Sequence, residues 1–141
     1  MAETNAVFGG EHSAHYYFRD FWRADSGMLA AMHVLAALGQ QDKPLSEMMA
    51  KYNRYAASGE INSRLDSAEA QADRTEAVVK AFADRAENVD RLDGVTVELK
   101  DGNWFNVRAS NTEPLLRLNV EADTQEAVDA IVKEILAIIR A

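Results

Sequence analysis

Two short stretches carry the residues whose types and spacing could do chemistry. Near the end of the chain Arg108-Ala109-Ser110-Asn111-Thr112-Glu113-Pro114 is followed by Arg117, with apolar strand-like stretches on both sides. Guanidinium forks match the geometry of phosphate oxygens, and the hydroxyls of Ser110 and Thr112, the Asn111 amide and turn N–H groups supply further donors. Pattern parity sets Arg108 on the face opposite Val107, and Arg117 on the face opposite Leu116 and Leu118. A hairpin about Thr112 would then bring the two arginines together on neighbouring strands. Like charges placed so repel unless something negative lies between them. That partner is either a bound phosphate or, on the plainer reading, Glu121 or Glu113 on an ordinary surface turn.

The second stretch is Gly9-Gly10-Glu11-His12-Ser13-Ala14-His15. A carboxylate and a hydroxyl can grip vicinal sugar hydroxyls, and a nearby imidazole can donate to an oxyanion or move a proton. A metal reading on Glu11, His12 and His15 fits no standard zinc spacing. A polar loop with a structural histidine fits equally. His33, alone in a helical pattern, is assigned no function.

Composition narrows the partners. The 141 residues carry a formal net charge of -8, so nucleic acid and anionic membrane are excluded as main partners, because both select basic patches. With no cysteine there are no disulfides or thiolate metal sites. No apolar run reaches the ~20 residues of a membrane span. The expectation is a soluble cytoplasmic protein.

The elements that must position these loops fall into two regions, 1–58 and 59–141. In the first, Ala6-Val7-Phe8 ends a short strand, Gly9-Gly10 opens a loop, and Tyr16-Tyr17-Phe18 forms a second strand. Asp25 or Ser26 caps a helix with Met28, Leu29, Met32, Leu35 and Leu38 on one face and Gly39 as its stop. Pro44 precedes a short helix through Met48, Met49 and Tyr52. This region reads as the tail of a larger α/β domain, and Tyr55 to Gly59 reads as a linker. In the second region Glu60 to Leu65 is a strand, and Asp73-Arg74-Thr75-Glu76 is a capping box opening a helix with Val78, Val79 and Phe82 inward. Val95, Val97 and Leu99 alternate with polar residues as a half-buried strand, and Asp101-Gly102 signals a hairpin. Phe105 and Val107 carry the next strand, and Leu116, Leu118 and Val120 the last. Asp123 and Glu126 start a closing helix that buries Val128, Ile131, Val132, Ile135 and Ile139. The order βαβββα predicts an α+β fold, an antiparallel sheet with two helices on one face.

At both loops the chain resembles the α-D-phosphohexomutases, most closely the bacterial phosphomannomutase/phosphoglucomutase branch. Gly10-Glu11-His12-Ser13-Ala14-His15 is similar to that family's Gly-Glu-x-Ser-Gly-His sugar-binding loop. Arg108 to Pro114 with Arg117 is similar to its phosphate-binding loop, and Asp93-Gly94-Val95 and Trp104 also sit where the family has similar residues. The resemblance implies that 1–58 is the C-terminal remnant of the third, sugar-binding domain. It implies that 59–141 is the fourth, phosphate-binding domain, with a TATA-binding-protein-like fold.

By the same resemblance Glu11 and Ser13 hold sugar hydroxyls, and His15 lies near the transferring group as the catalytic candidate. Arg108, Ser110, Asn111, Thr112 and Arg117 hold the phosphate that is not transferred. Ala14 stands where the family usually has Gly, a cost if that position needs positive φ. The implied parent activity is an isomerase, an intramolecular phosphotransferase interconverting hexose 6-phosphate and hexose 1-phosphate, of mannose or glucose. The family's phosphoserine loop and its magnesium loop do not occur in this sequence. Mg2+ is therefore implied for the parent enzyme only, with no metal or cofactor expected here, and the chain alone is expected to be inactive. Uncovered apolar surface around Phe8, Tyr17 and Phe21 predicts self-association. The alternative from another class is a stand-alone phosphosugar-binding or regulatory module without catalysis.

Overall fold

A computed structural model describes residues 1–11, 13–110 and 112–141. The chain divides into two compact units, Met1–Tyr52 and Asn53–Ala141.

In the first unit, β1 (Phe8–Gly10), β2 (Tyr16–Phe18) and β3 (Ala24–Asp25) form an antiparallel sheet in that order. Gly9 and Gly10 pair with Tyr17 and Tyr16, so they belong to the strand and the loop opens only at Glu11. Trp22 and Arg23 both take φ of 55°, and Ala24 N–H donates to Phe21 C=O at 2.8 Å, the tight turn that joins β2 to β3. Helix α1 (Gly27–Gly39) begins where expected, with the Ser26 side chain accepting from Leu29 N–H. Helix α2 (Leu45–Ala50) follows Pro44. Neither helix has a buried residue. Met28, Met32 and Leu35 share a face, and they stay 75%, 61% and 65% exposed. Apolar exposure thus lies along α1 and at Val7, Phe8 and Trp22, whereas Tyr17 and Phe21 are half-buried. His33 stacks on Phe18, centroids 5.4 Å apart, a packing role.

The second unit holds the core. Its elements are β4 (Ala56–Ala57), β5 (Ile61–Arg64), α3 (Ala68–Phe82), β6 (Ala86–Asp90), β7 (Val95–Leu99), β8 (Trp104–Ala109), β9 (Leu115–Ala122) and α4 (Gln125–Ile139). All strand pairings are antiparallel: β6, β7, β8 and β9 lie in line, and both β4 and β5 pair with β9. The period of two puts Val95, Val97, Leu99, Phe105, Val107, Leu116, Leu118 and Val120 on one face, all buried. Val78 and Phe82 of α3 and Val128, Ile131, Ile135 and Ile139 of α4 pack into the same cluster. Phe82 meets Phe105 edge to face at 4.8 Å between centroids. The other sheet face carries Thr96, Glu98, Trp104, Asn106, Arg108, Arg117 and Asn119, none of them buried.

The α+β class and the two helices therefore stand, and the sheet gains two strands beyond the βαβββα order, β4 and β6. Tyr55 to Gly59 is not a bare linker: Ala56 and Ala57 pair with Ala122 and Glu121, and Ser58 N–H donates to Val120 C=O. Helix α3 starts at Ala68, not at Asp73. The Ser67 side chain accepts from Ala70 N–H, and the intervening Ala, Glu and Gln residues are strong helix formers. Asp73 is an interior helical residue. Helix α4 is capped by Thr124, which accepts from Ala127 N–H.

Candidate functional site

The arginine stretch folds as the β8–β9 hairpin. Arg108 is the direct cross-strand partner of Arg117, and Ala109 of Leu116; Ser110 N–H donates to Leu115 C=O at 2.8 Å. Two cations are thus held side by side on the helix-free sheet face, because Val107, Leu116 and Leu118 are committed to the core. A pocket of about 230 Å³ opens beside them, lined by Asp93, Arg108, Ala109, Ser110, Thr112 and Arg117. Asn111, the remaining residue expected to hold phosphate, lies outside the described residues, as does His12.

Three carboxylates meet the two arginines. Asp93 Oδ2 accepts from Arg108 Nη1 at 3.0 Å. Glu60 and Glu113 lie 3.6 and 3.9 Å from Arg117, beyond good hydrogen-bond range. Glu113 is one of the two counter-charges the sequence suggests; the other, Glu121, stands opposite Trp104 instead. Arg117 Nε is buried with no hydrogen-bond partner among the described residues, an unmet donor beside the pocket.

Gly94 brings Asp93 into place. Its φ is +66°, and a Cβ there would lie 2.5 Å from the Val107 carbonyl oxygen and 2.9 Å from Arg108 Cα. Only glycine lets the β6–β7 turn press this closely on β8. The Asn106 side-chain N–H₂ donates to the Asp93 carbonyl at 3.0 Å and holds the turn there.

In the first unit Glu11, Ser13 and His15 occupy the turn between β1 and β2. Glu11 N–H donates to His15 C=O and Ala14 N–H to Glu11 C=O, each at 3.0 Å. Closing this turn gives Ala14 a φ of 64°, the left-handed conformation for which the expected glycine is suited. Ser13 Oγ donates to Glu11 Oε2 at 3.1 Å, and the Tyr17 hydroxyl donates to Glu11 Oε1 at 2.6 Å. His15 Nδ1 donates to Asp25 Oδ2 at 2.7 Å, and the other Asp25 oxygen accepts from Tyr16 N–H at 2.8 Å. The hydrogen bond to Asp25, and then the charge of that carboxylate, raise the His15 pKa above its ordinary 6.5. The same hydrogen bond, with the Tyr16 N–H, holds the Asp25 carboxyl below its ordinary range. Donation to Glu11 raises the Tyr17 hydroxyl, which keeps it a donor.

The expected residues thus gather as two clusters, Glu11, Ser13 and His15 in one unit, Arg108, Ser110, Thr112 and Arg117 in the other. Sequence reasoning missed Tyr17, Asp25, Asp93 and Glu60. The Asp93-Gly94 turn signal stood in the sequence; the other three are contacts that only the folded chain makes. Among the described residues no group of three or more His, Asp or Glu stands ready to hold a metal ion. Among them too, no helix is long and apolar enough to cross a membrane.

Known families match the chain in two segments. The family described as "Phosphoglucomutase/phosphomannomutase, C-terminal domain" matches residues 60–138. The "alpha/beta/alpha domain III" of the same enzymes matches residues 1–55. A phosphomannomutase of Salmonella montevideo is 43% identical over 142 residues, covering 99% of this chain and 30% of that protein. One from Methanocaldococcus jannaschii is 40% identical over 135 residues, 96% of this chain and 29% of its own length. "Phosphohexose mutases" of Xanthomonas campestris pv. campestris is 43% identical over 123 residues, 86% of this chain and 26% of that protein. The chain therefore spans between a quarter and a third of the length of these relatives. A crystal structure of a phosphoglucomutase/phosphomannomutase family protein from Burkholderia thailandensis superposes on 99% of this chain and 30% of its own, with a TM-score of 0.73 at 26% identity.

Proposed function

Since the chain belongs to the phosphoglucomutase/phosphomannomutase family, we propose that it is the substrate-holding portion of a phosphohexomutase. The parent reaction is the interconversion of hexose 6-phosphate and hexose 1-phosphate in the cytoplasm. The first unit supplies Glu11 and Ser13 as partners for sugar hydroxyls and His15 as the proton-handling group. The second supplies Arg108, Ser110, Thr112 and Arg117, with Asn111, for the phosphate that is not transferred. The domains divide accordingly, sugar recognition in 1–58 and phosphate recognition in 59–141.

One observation carries the phosphate role: Arg108 and Arg117 are direct cross-strand partners at the edge of a hydroxyl-lined pocket. Such a pair is unfavourable on an inert surface and useful to a dianion. Mg2+ belongs to the family's chemistry, but the described residues offer it no site. This portion holds substrate without completing the transfer.

Titration of the chain with mannose 6-phosphate and with glucose 6-phosphate, followed by calorimetry, tests the reading. Arg108→Ala should weaken binding tenfold or more, about 1.5–3 kcal/mol for a charge-assisted contact. Affinity unchanged by Arg108→Ala would make the hairpin structural. The exposed apolar face of α1 also favours self-association of this chain. A strict monomer in sedimentation would overturn that part alone.

A further inference from the structure

Two residues outside the expected site hold its reactive side chains, and they are partners of one another. Tyr17 of β2 and Asp25 of β3 stand in register across the strand pair. Side chains of directly opposed residues emerge on the same face. From there the Tyr17 hydroxyl donates to Glu11 Oε1 at 2.6 Å, and Asp25 Oδ2 accepts from His15 Nδ1 at 2.7 Å. We propose that the Tyr17–Asp25 cross-strand pair is the positioning element of the sugar-binding loop, aiming Glu11 as an acceptor and presenting His15 through Nε2. The proposal rests on the sugar-binding reading above, and neither residue is assigned contact with substrate.

The chemistry follows from which atoms are committed. An ionised carboxylate can only accept, so Nδ1 of His15 carries the proton and the neutral ring keeps Nε2 as its acceptor. Free histidine favours the opposite tautomer, with the proton on Nε2. Asp25 is itself fixed, because Oδ1 accepts from Tyr16 N–H and Ser26, its neighbour, caps α1. The ring therefore leans on a strand end and a helix start, not on the loop. Tyr17 is anchored similarly, through strand pairing to Gly9 on one side and Asp25 on the other. Tyr17 and Ser13 take one Glu11 oxygen each and orient its carboxylate. Among the described residues the charged groups acting on His15 are Asp25 and, more weakly, Glu11, both acidic, so they favour the imidazolium together. Loss of either changes the protonation of His15 in the same direction.

Nitrogen-15 NMR of the His15 ring in the whole chain tests this without any activity, with His15→Gln assigning the signal. The wild-type ring, once neutral, should be predominantly the Nδ1–H tautomer. Asp25→Asn should invert that preference and move the titration midpoint down toward 6.5, while far-UV dichroism stays unchanged. Tyr17→Phe should leave the His15 tautomer alone and change the Glu11 side-chain couplings, because one carboxylate oxygen loses its donor. A wild-type ring in the Nε2–H form overturns the proposal, and that measurement needs no variant to fold. So does an Asp25→Asn ring that titrates as in the wild type. Binding separates the two readings: wild-type chain that ignores both hexose phosphates but shows the Nδ1–H tautomer refutes the sugar role and retains the positioning. If hexose phosphate binds, Tyr17→Phe should weaken it about fivefold, because Glu11 must then be oriented at the moment of binding.

Discussion

Replacing Gly94 by alanine isolates what holds Asp93 against Arg108. Two costs add at this position. The φ of +66° places an L-residue in the left-handed region, about 1–2 kcal/mol. The new Cβ would also lie 2.5 Å from the Val107 carbonyl oxygen and 2.9 Å from Arg108 Cα. Both are backbone atoms of a central strand and cannot rotate away, so the β6–β7 turn must lift, at the roughly 1–3 kcal/mol typical of overpacking. The sum is on the order of 2–5 kcal/mol. Gly102→Ala supplies the control, because Gly102 has φ of +86° and a Cβ there would meet no atom within 4 Å. It should cost the left-handed strain alone, about 1–2 kcal/mol. Urea melts of the two variants, read by far-UV dichroism, measure the difference. The lifted turn also takes Asp93 away from Arg108. Equal destabilisation by the two substitutions would refute the close-approach argument.

The corrected start of α3 gives a paired test: Ser67→Ala should cost about 1 kcal/mol as a lost N-cap, and Asp73→Ala should be near neutral or slightly stabilising inside the helix. A larger cost at Asp73 in denaturant melts would restore the later start. The His15–Asp25 pair predicts a pH window for the first unit. His15 is raised, so its contribution is present below 6.5 and is lost as pH rises through the folded value. Asp25 is lowered, so its contribution is present above 3.8 and is lost as pH falls through its folded value. Amide protection at Tyr16, whose N–H donates to Asp25, taken relative to the intrinsic exchange rate at each pH, should therefore be greatest between these limits and fall to that of Asp25→Asn at either extreme. A flat profile in the wild type would contradict the coupling.

Much of the second unit was legible because its strands are half-buried. Alternation in Trp104–Ala109 and Leu115–Ala122 gives the face of every residue, and so places Arg108 and Arg117 on the polar side from the pattern alone. Strand β6 was not legible. Ala86–Asp90 is an edge strand, exposed beyond Ala86, so it carries little apolar signal. β4 is two alanines whose strand character comes from pairing with β9. The start of α3 was misplaced because Asp73-Arg74-Thr75-Glu76 matches a capping box by letter, while the operative cap at Ser67 precedes residues without apolar periodicity. In the candidate site, the side chains with distinctive local spacing were found. Their partners were not: Asp93 and Glu60 reach the arginines through β-pairing, and Asp25 reaches His15 across ten positions of chain.

The carboxylates around the arginines decide how the pocket can work. Two guanidinium groups face three carboxylates, so the pocket on its own is not a positive patch on this acidic chain. Anion binding must then displace existing partners, and the outcome turns on magnitudes. The Arg117 contacts at 3.6 and 3.9 Å are long, and Asp93 and Glu113 are 72% and 59% exposed. Exposed pairs of this kind contribute about 0–1 kcal/mol each. A phosphate seated between Arg108 and Arg117 would gain charge-assisted bonds of about 1.5–3 kcal/mol each. The exchange favours phosphate, while a monovalent carboxylate ligand would merely replace one carboxylate by another. On the proposed phosphate role the counter-charges would confer selectivity: they offset the repulsion between the arginines before an anion arrives, and only a ligand with more acceptors than a carboxylate would gain by displacing them.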